Sequence, residues 1–275
     1  MARFVIVPQW QGSPSSRAMQ LIDGAQAIAG DLPRAACTIV EIPYEAGESV
    51  ETGIHRFSAL ARVRALTEQA LAEHDHGDTV VVIGGDCGIA VPSVERAAGR
   101  HANLAVIWFD AHPDLHTPDS SSSGAFSGMA LRAVLGDVPA PLGLEPGTVV
   151  AERVMLAGAR DYDPAEEEIV TTIGIAVRDA NDIADAEALA EAIAATGAEA
   201  VYVHVDLDVL DPANIAGVTA PVPFGVSGAE LVAAIAAVRA RLPLAGASIT
   251  GFAPATPTAA VDDLGTILRI VGALA

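Results

Sequence analysis

Short apolar runs rich in Val and Ile recur at Phe4 to Val7, Thr38 to Ile42, Thr79 to Ile83, Leu104 to Phe109, Val154 to Leu156, Ile173 to Val177, Val201 to Val205 and Ala247 to Phe252. Continuous hydrophobicity over so few residues predicts strands covered on both faces. Between most of them lie stretches with helical spacing of apolar residues: Arg17 to Ala29, Ile54 to Glu73, Ile89 to Ala98, Ala186 to Ala195 and Gly228 to Ala240. Strand and helix in alternation predict the α/β class, a mostly parallel sheet with helices on both sides. Ligands of such sheets collect where strands end at the carboxyl edge. Three polar segments fall there: Gly84-Gly85-Asp86-Cys87-Gly88, Asp110-Ala111-His112-Pro113-Asp114 and Asp206-Leu207-Asp208.

A chain of 275 residues with 51% apolar content can bury a large core. Its Pro, Gly and Ser residues are scattered rather than gathered into a linker, so residues 1–275 are expected to form one domain. The balance of 35 acidic against 15 basic side chains gives a net charge of −20, which repels a phosphate backbone and argues against nucleic acid as a partner. No apolar run approaches the roughly 18 residues of a membrane span, so no membrane partner is expected. The opening run is too short for the apolar core of a signal peptide and is expected to be the first strand. Cys37 and Cys87 are too few for a disulfide framework, which points to a reducing interior, with the cytoplasm as the default.

Asp110, His112 and Asp114 alternate, so on an extended strand end all three side chains share a face, and Asp206 and Asp208 repeat the pattern. Carboxylates gathered in one pocket repel one another and are costly to bury without compensating positive charge. Divalent metal ions supply that compensation. A set dominated by oxygen with limited imidazole suits Mn²⁺ better than a tetrahedral structural zinc site. Paired ions can clamp and activate a water, which is the equipment of a hydrolase. Asp at a strand end also commonly caps the next helix, and for Asp211 that plainer role is at least as good a reading.

At these residues the chain resembles the ureohydrolase family of arginases, agmatinases and formiminoglutamases. Gly84-Gly85-Asp86, Asp110-Ala111-His112-Pro113-Asp114 and His204-Val205-Asp206-Leu207-Asp208-Val209-Leu210-Asp211-Pro212 match its three signature motifs in order and spacing. The resemblance implies a three-layer α/β/α sandwich, a binuclear Mn²⁺ centre with two ions per chain, hydrolysis of a small guanidino or amidino substrate, and a homo-oligomer, trimer or hexamer. By position, Asp110 and Asp206 would bridge the ions, with Asp114 on the first and His112 and Asp208 on the second. Ser123, Asp163 and Glu166 match positions that bind substrate, the last two on an α-amino group. That favours an amino-acid-like substrate.

The departures from the family pattern are as informative. Cys87 stands where the family has a metal-binding His, and its thiolate is expected to ligate in its place. Ser127 stands at the position of the catalytic-loop His, Gly251 at that of the acidic residue facing the guanidinium, and His116 and Ala125 at positions held by Asn. His116 is the candidate proton carrier, since imidazole titrates near neutrality. His204 is read as a core or supporting residue rather than a ligand. An N-hydroxyguanidine such as N-hydroxyarginine, being less basic than arginine, would tolerate the losses at Ser127 and Gly251. The alternative expectation is a non-catalytic homologue acting as a metal-binding or regulatory subunit.

Overall fold

The computed structural model describes residues 2–74 and 77–275. Its elements run β1 (Ala2–Ile6), α1 (Gln20–Gly30), β2 (Cys37–Ile39), α2 (Phe57–Ala72), β3 (Thr79–Ile83), α3 (Ala90–Ala98), β4 (Leu104–Phe109), α4 (Ala130–Val134) and β5 (Val154–Ala157). They continue with α5 (Pro164–Ile173), β6 (Ala176–Arg178), α6 (Ala180–Ala184), α7 (Ala186–Ala194), β7 (Ala200–Asp206), α8 (Gly228–Arg241), β8 (Leu244–Thr250) and α9 (Pro257–Leu274). The strands form one sheet in the order β2-β1-β3-β8-β7-β4-β5-β6, every pairing parallel.

Strand alternation splits the core into two layers. Ala105, Ile107 and Phe109 of β4 pack with Val201, Val203 and Val205 of β7 against α1, α7, α8 and α9. Leu104, Val106 and Trp108, with Tyr202, face α3 and α4 on the opposite side. All six residues of β4 are buried, and each fully buried Val, Ile or Phe contributes about 1.5–3 kcal/mol. This accounts for the near-continuous hydrophobicity of the central strands.

The apolar pattern misplaced some boundaries. Ile173 ends α5 rather than opening a strand: Gly174, at φ +72°, caps the helix, and β6 begins only at Ala176. Strand β8 starts at Leu244 and ends at Thr250, so the expected run Ala247 to Phe252 lies late by a few residues. Helix α5 opens on a capping box, in which Asp163 accepts from the Ala165 and Glu166 amides while Glu166 accepts from the Asp163 amide.

Candidate metal centre

The carboxyl edge of the middle strands is walled by residues from every polar segment picked out above. The β3 turn is built by Gly85, whose φ of +71° and closeness to the Gln9 carbonyl leave no room for a Cβ. Asp86 follows, accepting from the Gln9 amide side chain at 2.8 Å and from the Gly12 and Gly88 amides at 2.9 and 3.0 Å. It thereby ties the loop after β1 to the turn that presents Cys87. Burial pushes the Asp86 carboxyl up to about 6 despite these donors.

Asp110, His112, Asp114, Asp206, Asp208 and Cys87 all line one cavity of about 360 Å³. They do not converge by simple strand alternation. Asp114 adopts φ +55° and Asp208 lies in a 3-10 turn, so loop geometry after β4 and β7 aims these two. The Asp206 carboxylate accepts from the Asp208 amide at 3.0 Å, from Thr250 Oγ1 at 3.1 Å and from Cys87 Sγ at 3.0 Å. Asp110 accepts from the His112 amide at 2.7 Å and from Trp108 Nε1 at 3.2 Å. Asp208 accepts from the Ala111 amide at 3.1 Å.

The electrostatics are those of a site built around a cation. Burial raises Asp110, Asp114 and Asp208, and pushes Asp206 up to about 7, with the neighbouring Asp208 charge adding to it. Burial and the surrounding carboxylates push the Cys87 thiol well up. Burial opposes a charge on His112, yet its contacts with Asp110 and Asp208, at 3.5 and 3.1 Å, push it up to about 12. No lysine or arginine lines the cavity among the described residues. One buried oxygen of Asp114 lacks a hydrogen-bond partner. Asp110 belongs both to a group with Cys87 and His204 and to a group with His112 and Asp208, the donor atoms of each lying within 4.8 Å of one another. This donor set, rich in carboxylates with imidazole and a thiol, fits divalent metal.

The remaining expected site residues stand around that centre. His116 lines the cavity, its Nε2 2.9 Å from Asp163 Oδ2 and its Nδ1 3.1 Å from Ser120 Oγ. Glu166 lines the cavity and accepts from the Leu115 amide, whereas Asp163 reaches it only through His116 and also caps α5. Ser123 lies exposed at the rim, its Oγ accepting from the Ala125 amide. Ser127 and Gly251 are both in the wall. Ser13, Pro14, Ser15, Leu21, Gly128, Thr219 and Ala220 also line that wall, and none of them is among the residues expected from the sequence. The carboxyl-edge rule that picked out the other loops, applied to the segment after β1, would have found the first three.

The family model described as the arginase family matches residues 16–266. An arginase of Staphylococcus aureus is 32% identical over 198 residues, covering 69% of this chain and 65% of that protein, so the chain matches just under two thirds of the length of that relative. An N(omega)-hydroxy-L-arginine amidinohydrolase of Streptomyces lavendulae is 30% identical over 211 residues, covering 74% of this chain and 72% of that protein. The crystal structure of an Entamoeba histolytica arginase in complex with L-ornithine superposes with a TM-score of 0.86 over 99% of this chain and 97% of that one, at 21% identity.

Proposed function

The chain belongs to the arginase family, and from that premise we propose that it is a metal-dependent hydrolase cleaving a guanidino or amidino carbon–nitrogen bond in a small amino-acid-like substrate. The observation that carries the proposal is the convergence of Asp110, His112, Asp114, Asp206, Asp208 and Cys87 on one cavity that no lysine or arginine lines among the described residues, the charge of Arg160 acting on Asp208 and Asp110 from outside the lining. Asp110 and Asp206 would serve both ions, with Asp208 and His112 holding one and Asp114 and Cys87 the other. The oxygen-rich side suits Mn²⁺. Such a pair, when bound, supplies a water made nucleophilic at neutral pH. Because every ligand in this reading hangs on one sheet, residues 1–275 are proposed as one ureohydrolase-like domain.

The protein's own groups would do the rest. Glu166 offers a carboxylate to a substrate ammonium, Asp163 would join it only by leaving His116, and Ser123 offers a hydroxyl at the rim. His116 Nε2 lies against Asp163, so carrying a proton to the leaving amine would require that contact to break. Gly251 supplies no carboxylate for a guanidinium. A less basic head group, as in N-hydroxyarginine, needs none, and the hydroxyarginine amidinohydrolase among the relatives lends that version support. The test is a screen for urea and hydroxyurea release by metal-loaded protein across arginine, N-hydroxyarginine, agmatine, guanidinobutyrate and formiminoglutamate. Release from at least one of them is expected. Full metal loading with no turnover of any would favour the non-catalytic alternative.

A further inference from the structure

Beneath the row formed by Asp110, Asp206 and Thr250 lies a second row in strict register across the same strands: Trp108 on β4, His204 on β7 and Ser248 on β8. His204 is fully buried and stacks on the Trp108 ring at 3.7 Å. Its Nδ1 lies 2.8 Å from Ser248 Oγ, while its Nε2 has no hydrogen-bond partner. A polar atom kept inside a protein without a partner calls for an explanation. One is at hand, because donor atoms of His204, Cys87 and Asp110 lie within 4.8 Å of one another.

We propose that His204 Nε2 joins Cys87 Sγ and Asp110 as a ligand of one of the two ions, making that side of the centre a sulfur- and nitrogen-bearing pole that takes a borderline cation such as Zn²⁺ or Co²⁺ in preference to Mn²⁺. The proposal rests on the metal-centre reading above and makes the centre unequal. One pole pairs His112 with Asp208 and is mostly oxygen, and the other carries a thiolate and a second imidazole. Affinity at sites with nitrogen and sulfur donors rises steeply from Mn²⁺ to Co²⁺ and Zn²⁺, so the softer pole discriminates where the harder one does not. Ser248 fixes the ring through Nδ1 and leaves Nε2 to the ion, and Trp108 holds both the ring and the Asp110 carboxylate. The Cys87 thiol proton passes to solvent as the ion binds.

The experiment is a Co²⁺ titration of the metal-depleted full chain, followed through the near-ultraviolet thiolate-to-cobalt band and the visible ligand-field bands. Wild type should gain the thiolate band with the first equivalent, and Cys87→Ser should lose it. His204→Gln should keep its fold by circular dichroism yet bind that first ion about 100-fold more weakly, with shifted ligand-field bands and little change in the second ion. An untouched wild-type sample loaded with one equivalent of Zn²⁺ gives a reading that needs no variant: X-ray absorption should find sulfur and imidazole on the same ion. Sulfur without imidazole, or a His204→Gln protein with wild-type affinity and bands, would overturn the role of His204 and leave the metal centre standing. Wild-type protein that takes up no Co²⁺ at all would overturn both.

Discussion

Replacing Gly251 by alanine probes the packing of the centre without replacing a proposed ligand. The residue sits at φ +85°, and a Cβ there would lie 2.8 Å from Asp206 Cγ and closer still to its Oδ1, where real Cβ atoms keep at least 3.0 Å. Left-handed backbone costs a residue with a Cβ about 1–2 kcal/mol. The Asp206 carboxylate must also withdraw, loosening its bonds from the Asp208 amide and Thr250 Oγ1. Hydrogen bonds to a charged group contribute about 1.5–3 kcal/mol each, so, with one of the two lost, Gly251→Ala should cost on the order of 3–5 kcal/mol and lower Tm by roughly 10 °C. Displacing a carboxylate that two ions would share should weaken metal binding about 10- to 100-fold. Urea unfolding and calorimetric metal titration measure both. A Gly251→Ala protein with wild-type Tm and metal affinity would refute the reasoning. The same crowding means that adding back an acidic side chain through Gly251→Glu would disrupt the centre rather than restore an arginine clamp.

Asp110→Ala and Asp206→Ala should each abolish high-affinity metal binding at both positions, and retention of two tight ions on metal analysis would contradict their shared role. In metal-free protein, Asp206 titrates near 7 against an unfolded value near 4. Its neutral form is therefore favoured by folding, and the stability it contributes is present below about pH 4 and lost as pH rises to about 7. That loss amounts to about 4 kcal/mol. Urea midpoints under chelator should fall across that window relative to Asp206→Asn, and parallel pH profiles for the two proteins would show that Asp206 is not responsible. Catalytic efficiency should be about a hundredfold higher for N-hydroxyarginine than for arginine, since the missing charge-assisted contact at Gly251 penalises only the guanidinium. Equal efficiencies would defeat the specialised reading.

The sheet was legible because its central strands are buried on both faces: β3 and β4 begin and end where their apolar runs do. Helices α5 and α9 escaped notice for different reasons. Helix α5 fully buries only Glu166, and its partly buried Ile169, Val170 and Ile173 form a short stripe on the core that runs straight into the apolar run of β6, whereas α9 carries a regular buried set that includes Ile267, Ile270 and Leu274 beyond the last strand. The site residues were legible as types and spacings, but their convergence was expected for the wrong reason. Alternation on a strand puts Asp206 above His204; it does not aim Asp114 or Asp208, whose loop backbone turns away from the strand path. His204 stands two positions before Asp206, on the same face of β7 but further from the carboxyl edge, which reads as a supporting place rather than a ligand's. Register with Trp108 and Ser248 on neighbouring strands, which decides where its ring lies, cannot be read from one strand alone.

The most direct test of the central claim is a metal titration of activity. Metal-depleted full chain is supplied with increasing divalent ion, and urea or hydroxyurea release from N-hydroxyarginine is measured beside bound metal in the same samples. The account predicts no release without metal, release that climbs to a plateau at two ions per chain, and no plateau for Asp110→Asn. Release that persists in chelator, or two bound ions with no release from any guanidino or amidino substrate, would contradict it.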